Sequence, residues 1–328
     1  LALLLFTACT KKQKPLFLAV PSAKSGLTFN NEIIENSQMN MVNYQYLYNG
    51  GGVGIGDFNN DNLPDIYFTA SIATNRLYIN RGNLQFEDVT EKAGVGGNKK
   101  WSRGATVIDI NNDGLLDIYI CRLGNFEKFK NKNQLLVCQS IQNGIPVYKE
   151  EAAVYGLDFS GFSTQASFFD YDLDGDLDVF LLNHSVHQNG TFAPRDSFVG
   201  TFDPLSGDRI FKNNNGHFED VTKATQINST AISYGLGVVM SDINLDGWPD
   251  IYAGNDFHEN DYLYINQKNG SFKDERHDWM THTSQYSMGV DAADANNDGF
   301  PEIVSMDMLP KDPYILKRSL GEDDYDIY

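Results

Sequence analysis

The sequence predicts an all-β protein, a β-propeller of four-stranded antiparallel blades, and three observations support this. A nine-residue, Asp-rich loop occurs five times along the chain. The first residues of successive loops lie 52, 61, 72 and 52 positions apart, which is the length of one blade with insertions in the middle two. A run of β-branched and aromatic residues follows each loop, so the loop is expected to join two strands.

The five loops carry oxygen-bearing side chains at positions 1, 3, 5 and 9. They occupy residues 57–65, 109–117, 170–178, 242–250 and 294–302. Position 6 is Gly in four loops, and glycine permits a sharp turn because it adopts positive φ readily. Asn62 takes this position in the first loop, and asparagine is the next-best residue at positive φ. All five loops are therefore expected to turn in the same way.

The residues around the loops repeat as well and predict four strands in each unit. Four loops have a Gly five residues before them, and four have an aromatic residue eight before them: Gly52, Gly104, Gly237 and Gly289, and Trp101, Phe162, Tyr234 and Tyr286. Third and fourth strands are expected at 77–80, 210–213 and 263–266, and at 86–90, 218–222 and 272–274. Helix signals are nearly absent. Residues 25–310 are thus interpreted as four complete blades and the beginning of a fifth, an incomplete ring.

The chemistry of the loops indicates calcium. Oxygens from positions 1, 3, 5 and 9, with the carbonyl of position 7, can supply the six to eight hard ligands at about 2.3–2.6 Å that calcium prefers. Magnesium fits less well because it keeps its waters, and the loops contain no Cys or His for zinc. An EF-hand is excluded because it needs Glu at position 12, where the residues are Phe68, Ile120, Leu181, Ala253 and Ser305. The alternative is a set of metal-free Asx turns.

The distribution of charge favours cation sites. The formal net charge is −19, and the five loops contain 17 of the 44 acidic residues. Outside the loops, 27 acids face 25 Lys and Arg residues, so the acidity is local. Nucleic acid is excluded as a partner, because phosphate backbones need basic residues.

The N-terminal residues predict export and lipidation. Residues 1–9 resemble the end of a bacterial lipoprotein signal peptide, a short apolar run that ends in small residues and Cys9. The run is too short to span a bilayer. Residues 10–24 are interpreted as a tether and residues 311–328 as the start of further sequence. We expect a protein of the outer membrane or cell surface that contacts the membrane only through a lipid on Cys9.

Two further cysteines, Cys121 and Cys138, lie in apolar runs that should be neighbouring strands. An exported protein allows a disulfide between them, but two buried free thiols are favoured.

The loops, the Gly before them and the Asp-Ile-Tyr at 65–67, 117–119 and 250–252 resemble the FG-GAP/VCBS repeats of integrin α-like propellers. Residues 75–80 and 86–95 are similar to the subgroup joined to ASPIC/UnbV domains in lipoproteins of Bacteroidota. The resemblance covers about residues 48–309 and implies a ring of seven blades with calcium in each loop.

The resemblance also implies the calcium ligands. The side-chain ligands it implies are Asp57, Asn59, Asp61 and Asp65; Asp109, Asn111, Asp113 and Asp117; Asp170, Asp172, Asp174 and Asp178; Asp242, Asn244, Asp246 and Asp250; and Asp294, Asn296, Asp298 and Glu302. The carbonyl ligands would come from Leu63, Leu115, Asp176, Trp248 and Phe300. Glu302 departs from the Asp of the other loops, which puts the geometry of the fifth site in doubt.

Candidate contact regions lie outside the loops. The connections at 125–133 and 183–208 are long, and long connections on a rigid scaffold often carry function. His184 and His187 could ligate a transition metal, although solvated histidines are the default. The polar stretch 255–261 is expected to be a ligand contact, a second cation site or an exposed acidic turn.

Three functions remain open at this point. No catalytic motif is found, which favours a non-enzymatic calcium-binding lipoprotein of the cell envelope. Its propeller would bind a polysaccharide or a protein partner, as in a nutrient-uptake or adhesion complex. The alternatives are a carbohydrate-active enzyme that resembles a polysaccharide lyase, and a structural scaffold in an envelope complex.

Overall fold

The propeller architecture is confirmed by the computed structural model, which describes residues 15–37, 39–124, 130–186, 197–257, 259–308 and 311–315. Within these residues the chain forms four four-stranded antiparallel sheets, blades 1 to 4, and a fifth sheet of two strands. The strands of each sheet pair in the order of the chain, so each blade is a meander. The first strands of successive sheets contact one another and lie on the inner side of the propeller.

The strand bounds follow the repeat. Blade 1 contains β1 (Val53–Gly56), β2 (Asp65–Phe68), β3 (Arg76–Asn80) and β4 (Phe86–Asp88). Blade 2 contains β5 (Ser102–Ile108), β6 (Asp117–Arg122), β7 (Gln134–Gln142) and β8 (Ile145–Glu150). Blade 3 contains β9 (Ser163–Phe169), β10 (Asp178–Asn183), β11 (Arg209–Asn214) and β12 (His217–Asp220). Blade 4 contains β13 (Gly235–Ser241), β14 (Asp250–Asn255), β15 (Tyr262–Asn266) and β16 (Phe272–Asp274), and the fifth sheet contains β17 (Ser287–Ala293) and β18 (Glu302–Asp307).

Short helical turns follow the fourth strand of each blade. The described residues include the helices α1 (Ser22–Ser25), α2 (Thr90–Ala93), α3 (Ala152–Tyr155), α4 (Thr222–Thr225) and α5 (Arg276–Trp279), and a 3₁₀ turn at Gly97–Lys99. At the start of α2, the Asp88 carboxylate accepts hydrogen bonds from the N–H and the hydroxyl of Thr90 at 3.0 and 2.6 Å. The sequence gives little sign of these turns, because four residues are too few to show a helical period.

The glycine five residues before the loop is required where blades meet. A Cβ on Gly52 would lie 2.6 Å from the Ala105 nitrogen of the next blade, and one on Gly104 would lie 2.5 Å from the Thr164 oxygen. At Gly237 the corresponding distance to the Val290 nitrogen is 2.8 Å. These contacts are closer than any Cβ tolerates, so glycine allows the first strands to pack edge to edge.

Hydrophobic cores lie between successive blades. Cys138 packs in the core between blades 1 and 2, and Cys121 packs in the core between blades 2 and 3. Both thiols are free and buried, in agreement with the favoured prediction. A disulfide is ruled out geometrically, because the sheet of blade 2 separates the two side chains.

Some sequence predictions lie at or beyond the limits of the described residues. Residues 27–29 form no strand; Phe29 stacks on Phe68 of blade 1 with ring centroids 4.8 Å apart. Cys9, His187 and residues 316–328 lie outside the described residues. No described helix is both long and apolar enough to cross a membrane.

Candidate metal centres in the five Asp-rich loops

Each Asp-rich loop connects the first and second strands of its sheet, as predicted. All five loops thus lie at the same end of their sheets, and the first two touch, since the Asn60 amide donates a hydrogen bond to the Gly114 carbonyl at 3.3 Å. The loops therefore lie along one edge of the propeller.

The first aspartate of each loop holds the turn closed. Asp57 accepts hydrogen bonds from the backbone N–H groups of Asp61 at 2.9 Å and Asn62 at 2.7 Å. Asp109, Asp170, Asp242 and Asp294 make the same pair of bonds at 2.8–3.1 Å. The carboxylate of position 1 thus faces the interior of the loop in every copy.

Two positions in each loop adopt the left-handed backbone conformation. Position 6 does so with φ of 82° to 99° in the four Gly copies, and Asn62 follows with φ 67°, which confirms the prediction. Position 4 does the same with φ of 56° to 63°, at Asn60, Asn112, Leu173, Leu245 and Asn297. Sequence reasoning missed this second requirement, although the asparagines at position 4 in three loops were a usable signal.

The carboxylate of position 9 is buried and joins the loop to the third strand. Asp65 accepts from the Phe58 N–H at 2.9 Å and from the Asn80 N–H of β3 at 2.7 Å. The next three blades repeat this pair of backbone N–H bonds. The donors are Ile110 and Cys138 for Asp117, Tyr171 and Asn213 for Asp178, and Ile243 and Asn266 for Asp250. Burial raises the pKa of Asp65 and of Asp117 to about 6 and that of Asp178 to about 7. This structural role was not foreseen from the sequence.

Glu302 adopts a different arrangement in the fifth loop. One carboxylate oxygen accepts from the Ala295 N–H at 2.7 Å, and the other accepts from the Asn296 amide at 2.7 Å. The longer side chain therefore reaches position 3 of its own loop.

The third loop differs from the others in its residue at position 3. In the other four loops it is Asn, whose amide nitrogen donates to the carboxylate of position 5 at 2.9–3.0 Å. In the third loop it is Asp172, so two carboxylates face each other where the other loops have an amide and a carboxylate. The Lys212 ammonium of β11 bonds to Asp172 and lies 3.1 Å from Asp174. An ammonium thus compensates for the missing amide.

The residues of the loops fit a hard cation. Oxygens of Asp170, Asp172 and Asp174 all lie within 4.8 Å of one another, and the Lys212 ammonium shows that a positive group is accepted there. In the fourth loop the Lys268 ammonium lies 3.2 Å from Asp246. The side-chain donors are oxygens at positions 1, 3, 5 and 9, which is the ligand type that calcium prefers.

His184 is not a metal-ligand candidate, and it is not solvated either. It is fully buried; its Nδ1 bonds to the Phe162 carbonyl at 2.6 Å and its Nε2 to the Tyr44 hydroxyl at 2.9 Å. Burial lowers the pKa of His184 well below its usual value, so the ring is neutral. Both nitrogens are therefore occupied.

The described residues of the polar stretch, 255–257 and 259–261, form a structural turn that is mostly buried and not an exposed acidic one. Asp261 accepts from the Asn255 N–H at 2.7 Å and from the Tyr252 hydroxyl at 2.5 Å. Asp256 accepts from the Tyr46 hydroxyl at 3.2 Å. Each carboxylate has its own protein donors, so the described residues do not converge on a second cation site.

A repeated acceptor precedes the third strand of each blade, and sequence reasoning missed it. Its carboxyl or amide oxygen accepts from a backbone N–H at or beyond the end of the second strand at 2.7–2.9 Å: Asn75 from Ala70, Asn133 from Arg122, Asp208 from Asn183 and Asp261 from Asn255. The other side-chain nitrogen or oxygen of this residue forms a hydrogen bond with a tyrosine hydroxyl in blades 1, 2 and 4. A polar residue directly before each third strand was the available signal.

The fold and the loops together define a β-propeller whose blades each carry an Asp-rich hairpin. Comparison with protein families agrees: residues 57–120 and 242–305 match the FG-GAP-like repeat. Each matched segment begins at the first aspartate of a loop and runs through the next loop. The chain therefore contains FG-GAP-like repeats. Comparison with curated proteins found no match.

Proposed function

We propose that this protein is a calcium-loaded binding module without enzymatic activity. The observation that supports it is the presence of five loops along one edge, each closed by its position-1 aspartate and supplied with oxygen donors. Loops that are already folded by their own hydrogen bonds lose little conformational entropy when a cation binds.

The side chains at positions 1, 3, 5 and 9 would hold the cation. Calcium supplies positive charge that offsets the mutual repulsion of the loop carboxylates. Since position 9 also bonds to the third strand, occupancy would tie the hairpin of strands 1 and 2 to the rest of its blade. A site at a calcium concentration about 100 times its dissociation constant would stabilise the fold by about 2.7 kcal/mol.

The partner proposed is an extracellular polysaccharide or a protein of the cell envelope, and Cys9 is the proposed lipid anchor at the outer membrane or cell surface. The rigid propeller and the absence of a catalytic motif in the sequence favour binding over catalysis. The relation to ASPIC/UnbV-associated lipoproteins of Bacteroidota belongs to the same proposal.

Calcium is tested by thermal unfolding with millimolar calcium and with excess chelator. We expect chelation to lower the melting temperature by many degrees, and Asp174→Ala to lower it less, because it affects one loop of five. Asp278→Ala, an exposed acid outside the loops, is the matched control and should change nothing. A melting temperature indifferent to chelator would refute the calcium proposal.

The partner is tested by incubating the calcium-loaded protein with a panel of polysaccharides and measuring co-elution and polymer length by size-exclusion chromatography. Co-elution with unchanged length is the expected result. Shortened polymer would replace the proposal with a lyase, and no co-elution with any polymer would leave a protein partner.

A further inference from the structure

A cavity of about 450 Å³ lies on the inner side of the propeller, away from the Asp-rich loops. Residues of all five first strands line it, together with Asn49 and the glycines that follow. Its volume is within the range of small-ligand sites, about 300–1,000 Å³. Asn49, Gly51 and Val53 are exposed, so a ligand can reach the cavity from solvent.

At two positions of the repeat that line this cavity, one copy has a polar or charged residue where the other copies have small or apolar residues. Six residues before the loop, blade 2 has Arg103, whereas the other four sheets have Gly51, Thr164, Leu236 and Met288. Five residues before the loop, the other four sheets have Gly, whereas blade 3 has Gln165. Since the repeat packs with small or apolar residues at these positions, folding alone does not require a guanidinium and an amide there.

Arg103 is buried without a carboxylate partner among the described residues. It is 4% exposed, and its Nη2 bonds to the Tyr44 hydroxyl and, at 3.5 Å, to the Tyr46 carbonyl. The guanidinium lies 5.6 and 5.9 Å from the centres of these two rings. Its Nε is buried and has no hydrogen-bond partner in the described part of the chain. Burying an unpaired charge is costly, so the arrangement calls for an anion.

The groups around Arg103 are committed elsewhere. The Tyr44 hydroxyl, which accepts from Arg103, donates to His184 Nε2 at 2.9 Å, and His184 Nδ1 donates to the Phe162 carbonyl at 2.6 Å. Asp256, the carboxylate beyond Tyr46, accepts from the Tyr46 hydroxyl. This network holds the guanidinium in place, and no carboxylate among the described residues neutralises its charge.

Two amides line the same cavity. The side chains of Asn49 and Gln165 make no hydrogen bond to any residue that the structure describes, and Gln165 is half-buried. An amide can both donate to and accept from a hydroxyl group. A guanidinium recognises a carboxylate through paired N–H donors.

We propose that this cavity binds a carboxylate-bearing sugar of the size of one hexuronic acid. Its carboxylate pairs with Arg103, and its hydroxyls bond to the amides of Asn49 and Gln165. The expectation of a sugar rests on the proposed binding function, whereas the expectation of a carboxylate rests on Arg103 alone.

The test is titration calorimetry of the calcium-loaded full chain with D-galacturonate, D-galactose, acetate and inorganic phosphate. We expect galacturonate to bind more tightly than the other three. Arg103→Met, which installs the residue of the fifth sheet, should weaken galacturonate at least about tenfold, as expected for a charged hydrogen bond. Gln165→Ala should weaken it less, and both variants should keep the wild-type melting temperature within a few degrees.

Each outcome decides the proposal. Unchanged galacturonate affinity in Arg103→Met would overturn it, and acetate or phosphate that binds as tightly as galacturonate would overturn the assignment to a sugar acid. If Arg103→Met melts far below wild type, Gln165→Ala carries the test, and unchanged affinity in that variant would overturn the proposal. If the Arg103→Met variant still co-elutes with the polymer, the cavity is not the polymer-binding site, but the protein is still a binding module. If Arg103→Met abolishes galacturonate binding but the wild-type protein co-elutes with no polymer, the cavity is a sugar-acid site and the proposal of a polymer-binding module is wrong.

Discussion

Asp208 offers a sharp test of how the repeat governs stability, because the equivalent residues of the other three blades have a tyrosine hydroxyl partner that Asp208 lacks. One oxygen accepts from the Asn183 N–H at 2.8 Å, but Oδ2 is buried with no partner in the described part of the chain. In blade 4 the equivalent Asp261 meets the Tyr252 hydroxyl. Blade 3 has Phe180 at that tyrosine position, so the hydroxyl is missing.

The consequence is a carboxyl group that stays protonated in the folded protein. Burial raises the pKa of Asp208 to about 8, whereas an unfolded aspartate titrates near its ordinary value of about 3.9. Folding between these two values therefore takes up a proton. The stability is greatest at low pH and is lost as the pH rises towards the folded pKa. The loss is about 1.4 kcal/mol per pH unit, or about 3 kcal/mol from pH 5 to pH 7.

Asp208→Asn removes this titration and installs the residue type of Asn75 and Asn133. We expect the free energy of unfolding of the variant to rise relative to wild type by about 3 kcal/mol between pH 5 and pH 7. Denaturant unfolding at each pH in saturating calcium measures it, since pH-dependent calcium binding then affects both proteins alike. Asp261→Asn is the control and should show a smaller change, because the pKa of Asp261 reaches only about 6. Parallel pH profiles for Asp208→Asn and wild type would refute the reasoning.

Two predictions concern the loops. Lys212→Ile should increase the rise in melting temperature that calcium causes, because Asp172 and Asp174 then repel each other in the metal-free protein. A variant whose melting temperature falls by the same amount with and without calcium would contradict this. Leu245→Asn should raise the free energy of unfolding by about 0.5–1 kcal/mol in denaturant titrations, because Leu245 is 48% exposed at φ 57° and asparagine tolerates this conformation better. Leu245→Ala is its control, and an equal gain in that variant would assign the effect to the loss of an exposed leucine.

The features that recur with the repeat could be predicted from the sequence. The loops, the strands on either side of them and the positive φ of Asn62 all follow from comparing five copies, because repetition exposes which positions the fold constrains. The number of strands per blade followed from the same comparison.

Contacts between distant parts of the chain could not be predicted in this way. Asp65 was predicted as a ligand, but its bond to the Asn80 N–H depends on how the third strand pairs. His184 lies in an apparently polar connection and is buried because Tyr44, 140 residues earlier, covers it. No local pattern encodes such an encounter.

Blade 3 departs from the repeat at several positions. Asp172 replaces an asparagine, Gln165 replaces a glycine, and Phe180 leaves Asp208 without a hydroxyl partner. Only Asp172 adds a charge where the other four loops have an amide, and Phe180 is an apolar residue that is fully buried in the core. A sequence that breaks its own local rules loses stability there, which natural proteins tolerate mainly where the altered residues serve binding. Gln165 lines the cavity with Arg103, so the irregular blade and the proposed ligand site meet at the same side chain.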